Sequence, residues 1–566
     1  MKKSILLLLL LCCQQILTAQ TDLASIQTEF KERITKSMKK RKVMGATVAV
    51  VSSDGVLWID NFGYADAENE KPITEETLFG IGSVTKVFTS AAVMQLAEQK
   101  KLNIDQPLSQ YLPSFQMKDH SDGVTPRNML THHSGLPSDI FKGMFSEQPE
   151  DYKYLVNYIN EEYMAGEPNQ IRAYSNPGYT LLGHMIAEVS GIEYPEYVQN
   201  NILQPLGMKS SAFNMLDQAS ETYDGKGKQK SDVNLRDTPA GGLFTSSKDL
   251  SKFLQAFLSQ SSDLLQPDTY QQILEQQHKD TPLDFGDRYA LGWSMTSRPH
   301  AGDIYYHTGT TLYFNAAMAF SPSADVGVII LTNSANGRSV YKEVHSIIDK
   351  VAASKGLPKA ERESVVMGAK KRVKTAPEKL DQYTGIYAAP GAYFDLYRKN
   401  KKLFMKLQGL RLELIPVENN QFIPKVILLH LIPIRLGDQR VMFEEVDGYP
   451  LMTNLEEGSP KELIATRFDK QEIPEVWSSR AGEYEIVNPL PGEIPFFGDF
   501  KIIEKDGLLV FAFKTTADGQ KIEMVMDIID DKRAKVFGLG RYGGQSITYN
   551  DGIIKAFGNK LKKINE

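Results

Sequence analysis

The sequence predicts an α+β fold followed by an all-β region in the last third of the chain. A helical run follows a glycine turn at residues 80–82, and helical patterns then alternate with loops to about residue 203. Short β-rich segments flank this helical part, as a hairpin at residues 45–59 and a meander at residues 304–331. Beyond residue 379, short strands separated by turns favour a barrel or a sandwich.

The length of the chain limits the number of domains, and its net charge limits the kinds of partner it can bind. The chain has 566 residues, enough for roughly three or four domains, and a net charge of −6. This charge argues against a nucleic-acid partner, because phosphate binding needs a concentrated positive surface. We divide the chain into a signal peptide at 1–19, a catalytic domain at 20–355, a linker at 356–378 and a β domain at 379–566, which contains one barrel or two repeated units.

The first residues have the pattern of a secretory signal. Two lysines precede an apolar run at residues 5–11, and the small Ala19 offers a cleavage point. We therefore expect an exported protein, periplasmic or secreted, without a transmembrane helix in the mature chain. Both cysteines, Cys12 and Cys13, lie in this segment, so the mature chain has no disulfide and no thiol chemistry. The bulky Leu11 before Cys12 argues against lipid anchoring.

The first candidate catalytic pair is Ser83 and Lys86, in S-x-x-K spacing just after the glycine turn. The two residues are three positions apart, which places their side chains on one face of a helix. A serine hydroxyl needs a base, and a lysine can serve where burial lowers its pKa. The alternative is that Ser83 only caps the helix and Lys86 is a solvated surface residue.

A second candidate group is Tyr174 and Asn176, on a loop before an apolar helical run. Tyr174 can share a proton with Lys86, and Asn176 can donate to a substrate carbonyl. The alternative is a buried tyrosine and a turn-forming asparagine.

A third group, His307, Gly309 and Thr310, ends a predicted strand that begins the meander. Glycine lets a substrate lie against the backbone, and the Thr310 N–H can form an oxyanion pair with that of Ser83. The alternative role for His307 is structural.

Two further patterns are assigned no chemistry. His132 and His133 are adjacent in a loop without a carboxylate at ligand spacing, so we expect structural roles and no metal site. Ser247 is predicted to cap a helix over residues 248–258. No cofactor is expected.

The three motifs Ser83-x-x-Lys86, Tyr174-x-Asn176 and His307-x-Gly309, in this order, resemble the penicillin-recognising serine hydrolases. The similarity covers about residues 25–350 and is greatest to the branch of class C β-lactamases, D-alanyl-D-alanine carboxypeptidases, D-aminopeptidases and related esterases. The resemblance implies a β-lactamase-like antiparallel sheet with helices on one face and a helical lobe beside it.

The resemblance also implies roles for the candidate residues. Ser83 is the acylated nucleophile, Lys86 its proton acceptor and Tyr174 a general base or proton relay. Asn176, His307, Gly309 and Thr310 then contact the substrate, a small molecule or a peptide such as cell-wall material.

One position departs from the pattern of the family. His307 stands where many relatives carry lysine, and a histidine of ordinary pKa is mostly neutral at pH 7. This favours an amidase, aminopeptidase or short-chain carboxylesterase over an enzyme that holds a substrate carboxylate. A slowly acylating sensor or binding protein is a further alternative, and the oligomeric state is left open.

The last third of the chain contains a weak internal repeat. Similar segments open near residues 382 and 480, and each is followed by alternating runs and an apolar strand. The repeat resembles the lipocalin-like β domains that are appended to some members of the same hydrolase family.

Overall fold

The structure is a computed structural model. It describes residues 2–119, 121–360, 371–407, 410–428, 432–435, 439–456, 460–516 and 519–564, and it describes side chains from residue 22 onward except at 427–428 and 432–435. The predicted signal segment at 1–19 is helical from Lys2, but its side chains lie outside this description. Residues 361–370 of the predicted linker also lie outside it. Among the described residues, no helix combines the length and apolar character needed to cross a membrane.

The helices of the described chain are numbered in order. They are α1 Lys2–Arg41, α2 Thr85–Glu98, α3 Pro126–Leu130, α4 Leu155–Ile159, α5 Asn176–Ser190, α6 Tyr194–Val198, α7 Thr238–Gly241, α8 Ser247–Ser259, α9 Pro267–Leu274, α10 Arg338–Tyr341, α11 Val344–Ser354, α12 Pro377–Asp381 and α13 Glu475–Ser478.

The strands before the linker alternate with these helices. They are β1 Gly45–Ser52, β2 Gly55–Asp66, β3 Lys71–Pro72, β4 Phe79–Gly80, β5 Phe145–Ser146, β6 Ala212–Phe213, β7 Thr222–Tyr223, β8 Gln229–Lys230, β9 Asn234–Leu235, β10 Leu243–Thr245, β11 Arg288–Tyr289, β12 Ser294–Arg298, β13 Gly302–Thr310, β14 Asn315–Ser321 and β15 Val326–Thr332.

The strands after the linker follow one another closely. They are β16 Gly385–Ala389, β17 Ala392–Lys399, β18 Lys402–Leu407, β19 Leu410–Pro416, β20 Gln421–Leu428, β21 Ile432–Arg435, β22 Arg440–Val446, β23 Tyr449–Leu455, β24 Glu462–Phe468, β25 Gly482–Ile486, β26 Phe497–Lys505, β27 Leu508–Thr515, β28 Lys521–Ile528, β29 Arg533–Val536, β30 Ser546–Asn550, β31 Ile553–Ala556 and β32 Asn559–Lys563.

The described chain packs into two compact units. The first comprises Met1–Ile104, Leu182–Gln277 and Arg288–Glu361, and the second Asp105–Leu181, His278–Asp287 and Arg362–Glu566. The second unit therefore combines part of the predicted helical lobe with the C-terminal β region.

An antiparallel sheet forms the centre of the first unit, as predicted, in the order β11-β12-β13-β14-β15-β1-β2-β3. Successive side chains of a strand point to opposite faces. On one face, Val48 of β1 shares a core cluster with Ile34 of α1 and Ile347 of α11. On the other face, Thr47 Oγ1 lies 3.0 Å from Ser247 Oγ of α8. Helices thus cover both faces of the sheet, where the sequence analysis expected them on one.

The meander and the hairpin occur where the sequence placed them. β13, β14 and β15 pair consecutively and antiparallel, with His307 opposite Met318. β1 and β2 form the hairpin, and β1 also pairs with β15, which brings the two β-rich segments into one sheet.

The C-terminal strands of the described chain close into two barrels. In the first, β16 to β20 and β22 to β24 form a ring that is closed by pairing of β19 with β20, and β21 extends it beside β20. In the second, β25 to β32 close on themselves. The predicted repeat is confirmed at the level of strands, since β16 to β18 and β25 to β27 each follow a short helix and open one barrel.

Candidate active site

Ser83 lies in a tight turn at the entrance to α2. The chain forms a single 3-10 turn at Gly82–Val84 before α2 begins at Thr85. Gly82 has a φ of +49°, a left-handed conformation that favours glycine. The Ser83 side chain is partly exposed, and its Oγ accepts a hydrogen bond from Lys86 Nζ at 3.1 Å. The turn thus leaves Ser83 partly exposed, while the amine of Lys86, one helical turn further along the chain, contacts its hydroxyl.

Lys86 is completely buried in the first unit, with 0% of its surface exposed. Its Nζ also donates to the carbonyl of Ala240 in α7 at 2.7 Å. The alternative of a solvated surface lysine is therefore wrong. Burial disfavours a charged amine, so this environment is one in which a lysine can accept a proton.

The end of β13 runs directly against the turn that carries Ser83. A Cβ placed on Gly309 would lie 1.9 Å from the carbonyl oxygen of Ile81 and 2.9 Å from Ser83 N. A Cβ placed on Gly82 would lie 2.7 Å from Thr310 N. These approaches show that the backbone at Gly309 and Thr310 lies against the turn that carries Ser83, and the oxyanion pair of the Ser83 and Thr310 N–H groups stays a prediction.

His307 is buried in β13, with 5% of its surface exposed. Its Nδ1 lies 2.8 Å from the carbonyl oxygen of Thr308. Since a carbonyl only accepts, Nδ1 carries the proton, and in the neutral ring Nε2 is the acceptor. The histidine is thus held in one orientation beside Gly309 and Thr310.

Tyr174 and Asn176 belong to the second unit, and their predicted action on Ser83 stays a prediction. Ser175 anchors the segment between them: its Oγ donates to Pro137 O at 2.7 Å and accepts from Gly178 N at 3.1 Å, which caps the start of α5. Asn176 Nδ2 donates to Asp139 Oδ1 at 2.6 Å.

The adjacent histidines support this loop, as expected. The His132 ring lies 4.1 Å from that of Tyr174, and its Nδ1 accepts from Ser175 N at 3.2 Å. His133 lies between the carbonyl of Thr131 and the carboxylate of Asp284, at 2.8 and 2.7 Å. Both rings therefore have structural contacts around the Tyr174 motif.

Two residues that the sequence analysis did not select also contact this motif. Asp139 is the acceptor for Asn176, and Arg541 of the second barrel forms an ion pair with Asp139 at 2.9 Å. Arg541 stands in a glycine-rich stretch, residues 538–544, which was the only signal of a closely packed loop.

The fold of the first unit and the Ser83–Lys86 pair agree with the family resemblance found in the sequence. Residues 30–352, more than half of the chain, match the beta-lactamase family. The chain belongs to the beta-lactamase family.

Curated relatives agree with this assignment. The chain is 27% identical over 325 residues to Protein flp of Staphylococcus aureus strain N315, covering 54% of this chain and 63% of that protein. It thus spans less than two thirds of the length of that relative. It is 25% identical over 468 residues to Penicillin-binding protein 4* of Bacillus subtilis strain 168, covering 76% of this chain and 97% of that protein.

Solved structures share the fold at low sequence identity. The octameric penicillin-binding protein homologue from Pyrococcus abyssi has a TM-score of 0.52 at 22% identity, covering 77% of this chain and 99% of that one. SurE has a TM-score of 0.57 at 19% identity, covering 79% of this chain and all of SurE. At these identities the likeness concerns the fold alone.

Proposed function

We propose that the protein is an exported serine hydrolase that cleaves an amide or ester bond through an acyl-enzyme on Ser83. The observation that carries this proposal is the hydrogen bond from the fully buried Lys86 to the hydroxyl of the partly exposed Ser83. A surface lysine would be a charged ammonium and could not accept the hydroxyl proton.

The proposed reaction has two halves. Ser83 Oγ attacks the carbonyl carbon of the substrate while its proton passes to Lys86 Nζ, and the oxyanion is stabilised by the N–H groups of Ser83 and Thr310. Collapse of this intermediate expels an amine or alcohol, to which Tyr174 relays the proton taken up by Lys86, and leaves the acyl group on Ser83. Water then attacks the ester and releases the acid. The role of Tyr174 is supported by its sequence motif.

His307 bears on the substrate class, because its charge decides whether a substrate carboxylate can be bound. His307 replaces the lysine of many relatives and, when neutral, offers no fixed cation for a substrate carboxylate. Within the β-lactamase and D-peptidase type of substrate, we propose D-amino-acid amides and cell-wall peptides without a terminal carboxylate ahead of penicillins and D-Ala-D-Ala peptides, which carry one. A short-chain carboxylesterase is the second candidate, because a neutral histidine suits uncharged esters. A sensor that retains its acyl group is the third.

Labelling with a fluorescent acylating probe tests the nucleophile. We expect wild type to be labelled and Ser83→Ala to lose labelling while keeping its circular dichroism spectrum. Ser90→Ala is the matched control, because Ser90 is a buried serine of α2, the helix that follows Ser83, and its Oγ donates to Leu291 O; this variant should be labelled like wild type. Equal labelling of Ser83→Ala would refute the assignment.

Turnover of three substrates separates the candidates. A D-amino-acid amide, a short-chain nitrophenyl ester and nitrocefin represent the peptidase, esterase and β-lactamase activities. A burst without turnover, with a stable adduct in intact-protein mass spectrometry, would favour the sensor. Export is tested by expression with residues 1–19 and N-terminal sequencing of the protein recovered outside the cytoplasm; retention of the full segment would contradict it.

A further inference from the structure

The loop between β29 and β30 of the second barrel is bound to the segment that precedes Tyr174 in the same unit. Tyr542 N donates to Ser138 Oγ at 2.8 Å, and Gln545 Nε2 donates to Asp139 O at 2.7 Å. These bonds join residues about four hundred positions apart. The barrel loop is thus fixed at Ser138 and Asp139 by its backbone and by a side chain.

Close packing of the same loop excludes any side chain at one point. A Cβ placed on Gly544 would lie 1.6 Å from the carbonyl oxygen of Ala165. Gly544 also has a φ of +75°, which favours glycine. The loop therefore packs closely against residues 138–165, with no space for a side chain at position 544.

In this position, Arg541 forms an ion pair with Asp139, and Asp139 accepts a hydrogen bond from Asn176. Arg541 Nη2 lies 2.9 Å from Asp139 Oδ2, and Asn176 Nδ2 donates to Asp139 Oδ1 at 2.6 Å. The Asp139 side chain is only 1% exposed. The Arg541 guanidinium carbon lies 5.1 Å from the centre of the Tyr174 ring. One carboxylate thus links the barrel arginine to the asparagine of the candidate site.

We propose that Arg541 is a positioning residue that holds Asn176 and Tyr174 in their working orientation through Asp139, so that the second barrel is part of the catalytic apparatus. This inference rests on the proposed function, which gives Asn176 and Tyr174 their roles.

The physical reason lies in the burial of Asp139. A buried carboxylate that loses its cation is strongly disfavoured and relaxes by turning toward other donors. This movement weakens the charge-assisted hydrogen bond that Asn176 Nδ2 donates to Asp139. A substrate-binding amide that can rotate contributes less to orientation of the bond to be cleaved.

Kinetics of Arg541→Met on a neutral nitrophenyl ester and on one carrying a carboxylate test this role. We expect kcat to fall 10- to 100-fold on both esters, with KM changed less than threefold, and Arg541→Lys to recover most of the loss. Unchanged kcat, or a loss confined to KM for the carboxylate ester, would overturn the proposal, the latter because Arg541 would then bind substrate itself.

Lys555→Gln is the matched control for a general weakening of the contact between the second barrel and residues 138–165. Lys555 of β31 pairs with Glu161 at 2.8 Å and with the buried Glu162 at 3.4 Å. It thus joins the same barrel to the same lobe at another place, and its loss also takes a cation from a buried carboxylate, as Arg541→Met does. We expect its kcat to stay within twofold of wild type. A loss as large as that of Arg541→Met would show that the barrel contact as a whole matters and would contradict a specific role for Arg541.

A double variant tests the route through Asp139. If Arg541 acts through this carboxylate, Asp139→Asn combined with Arg541→Met should lose no more activity than the worse single variant. Losses that multiply would show two independent effects and would overturn the route.

A readout without turnover separates this inference from the proposed function. In protein labelled with 3-fluorotyrosine, the Tyr174 resonance is assigned by its loss in Tyr174→Phe. We expect it to shift in Arg541→Met and not in Lys555→Gln. An unmoved resonance would contradict the positioning role, whereas absence of hydrolysis by wild type would refute only the proposed function.

Discussion

The backbone around Ser83 leaves no room for a side chain at position 309. The nearest atom to a Cβ there is a carbonyl oxygen, which cannot turn away as the end of a flexible side chain can. The sequence indicated that glycine matters at this point, because a substrate could lie against it. The structure adds that Gly309 is also required for β13 to approach the turn that carries Ser83.

Gly309→Ala should therefore lower both stability and activity. A Cβ 1.9 Å from Ile81 O must push β13 from the Ser83 turn, and overpacking of this kind costs about 1–3 kcal/mol of unfolding free energy. Acylation by the fluorescent probe should slow at least tenfold, because the two amide groups separate. Gly498→Ala is the control, since a Cβ there meets nothing within 4 Å. Urea unfolding and probe labelling measure both effects; equal behaviour of the two variants would rule out the steric argument.

At the scale of elements, local patterns located the strands and helices well and their ends less well. α8 begins at Ser247, and its N-cap is Ser246, whose side chain accepts from Asp249 N at 3.2 Å. The prediction of Ser247 as the cap was wrong by one residue. Both serines suit a cap, and the choice between them depends on Ser246 being extended while Ser247 packs against Thr47.

The helix α11 carries a histidine that makes stability depend on pH. Burial, with a smaller contribution from the nearby Arg298, lowers the pKa of His345 from 6.5 to about 4. The ring packs edge-on against Tyr306, and Nε2 is buried without a hydrogen-bond partner among the described residues. Adding a proton there in the folded state is therefore unfavourable.

We expect the free energy of unfolding to fall as the pH drops from about 6.5 to 4, because over this interval the unfolded chain takes up a proton at His345 and the folded chain does not. Below pH 4 the contribution should level off, at about 3 kcal/mol in total. His345→Phe should remove this part of the slope. Urea unfolding of both proteins at pH 7, 5.5 and 4.5 measures it, and identical slopes would show that His345 is not responsible. His278, whose pKa is also lowered to about 4, remains in both proteins and cancels.

At the scale of the whole molecule, a buried ion pair joins distant parts of the second unit. Lys142 Nζ lies 2.6 Å from Glu493 Oε2, and their side chains are 2% and 7% exposed. Glu493 also accepts from the backbone N–H groups of Gly143 and Leu490. A carboxylate held by these donors fixes the chain before β26 against the lobe.

Lys142→Met should destabilise the second unit by about 3–5 kcal/mol, because it leaves a buried carboxylate without its cation. Lys514→Met breaks an exposed pair with Asp499, whose side chains are 51% and 59% exposed, and should leave stability close to that of wild type, because water screens such a pair. Thermal unfolding compares the two variants. The double variant Lys142→Met with Glu493→Gln should recover part of the loss; no recovery would argue against an electrostatic origin.

The sequence by itself determined the family, the order of the motifs and most of the strands, because periodicity, glycine turns and short motifs are local properties of the chain. Only the tertiary structure decided that Lys86 is buried and that the last third closes into two barrels. Only the tertiary structure also joined Arg541 to Asp139 and Asn176. Burial and pairing of this kind depend on which distant residues come together in the packed chain, and a single sequence carries no local record of those contacts.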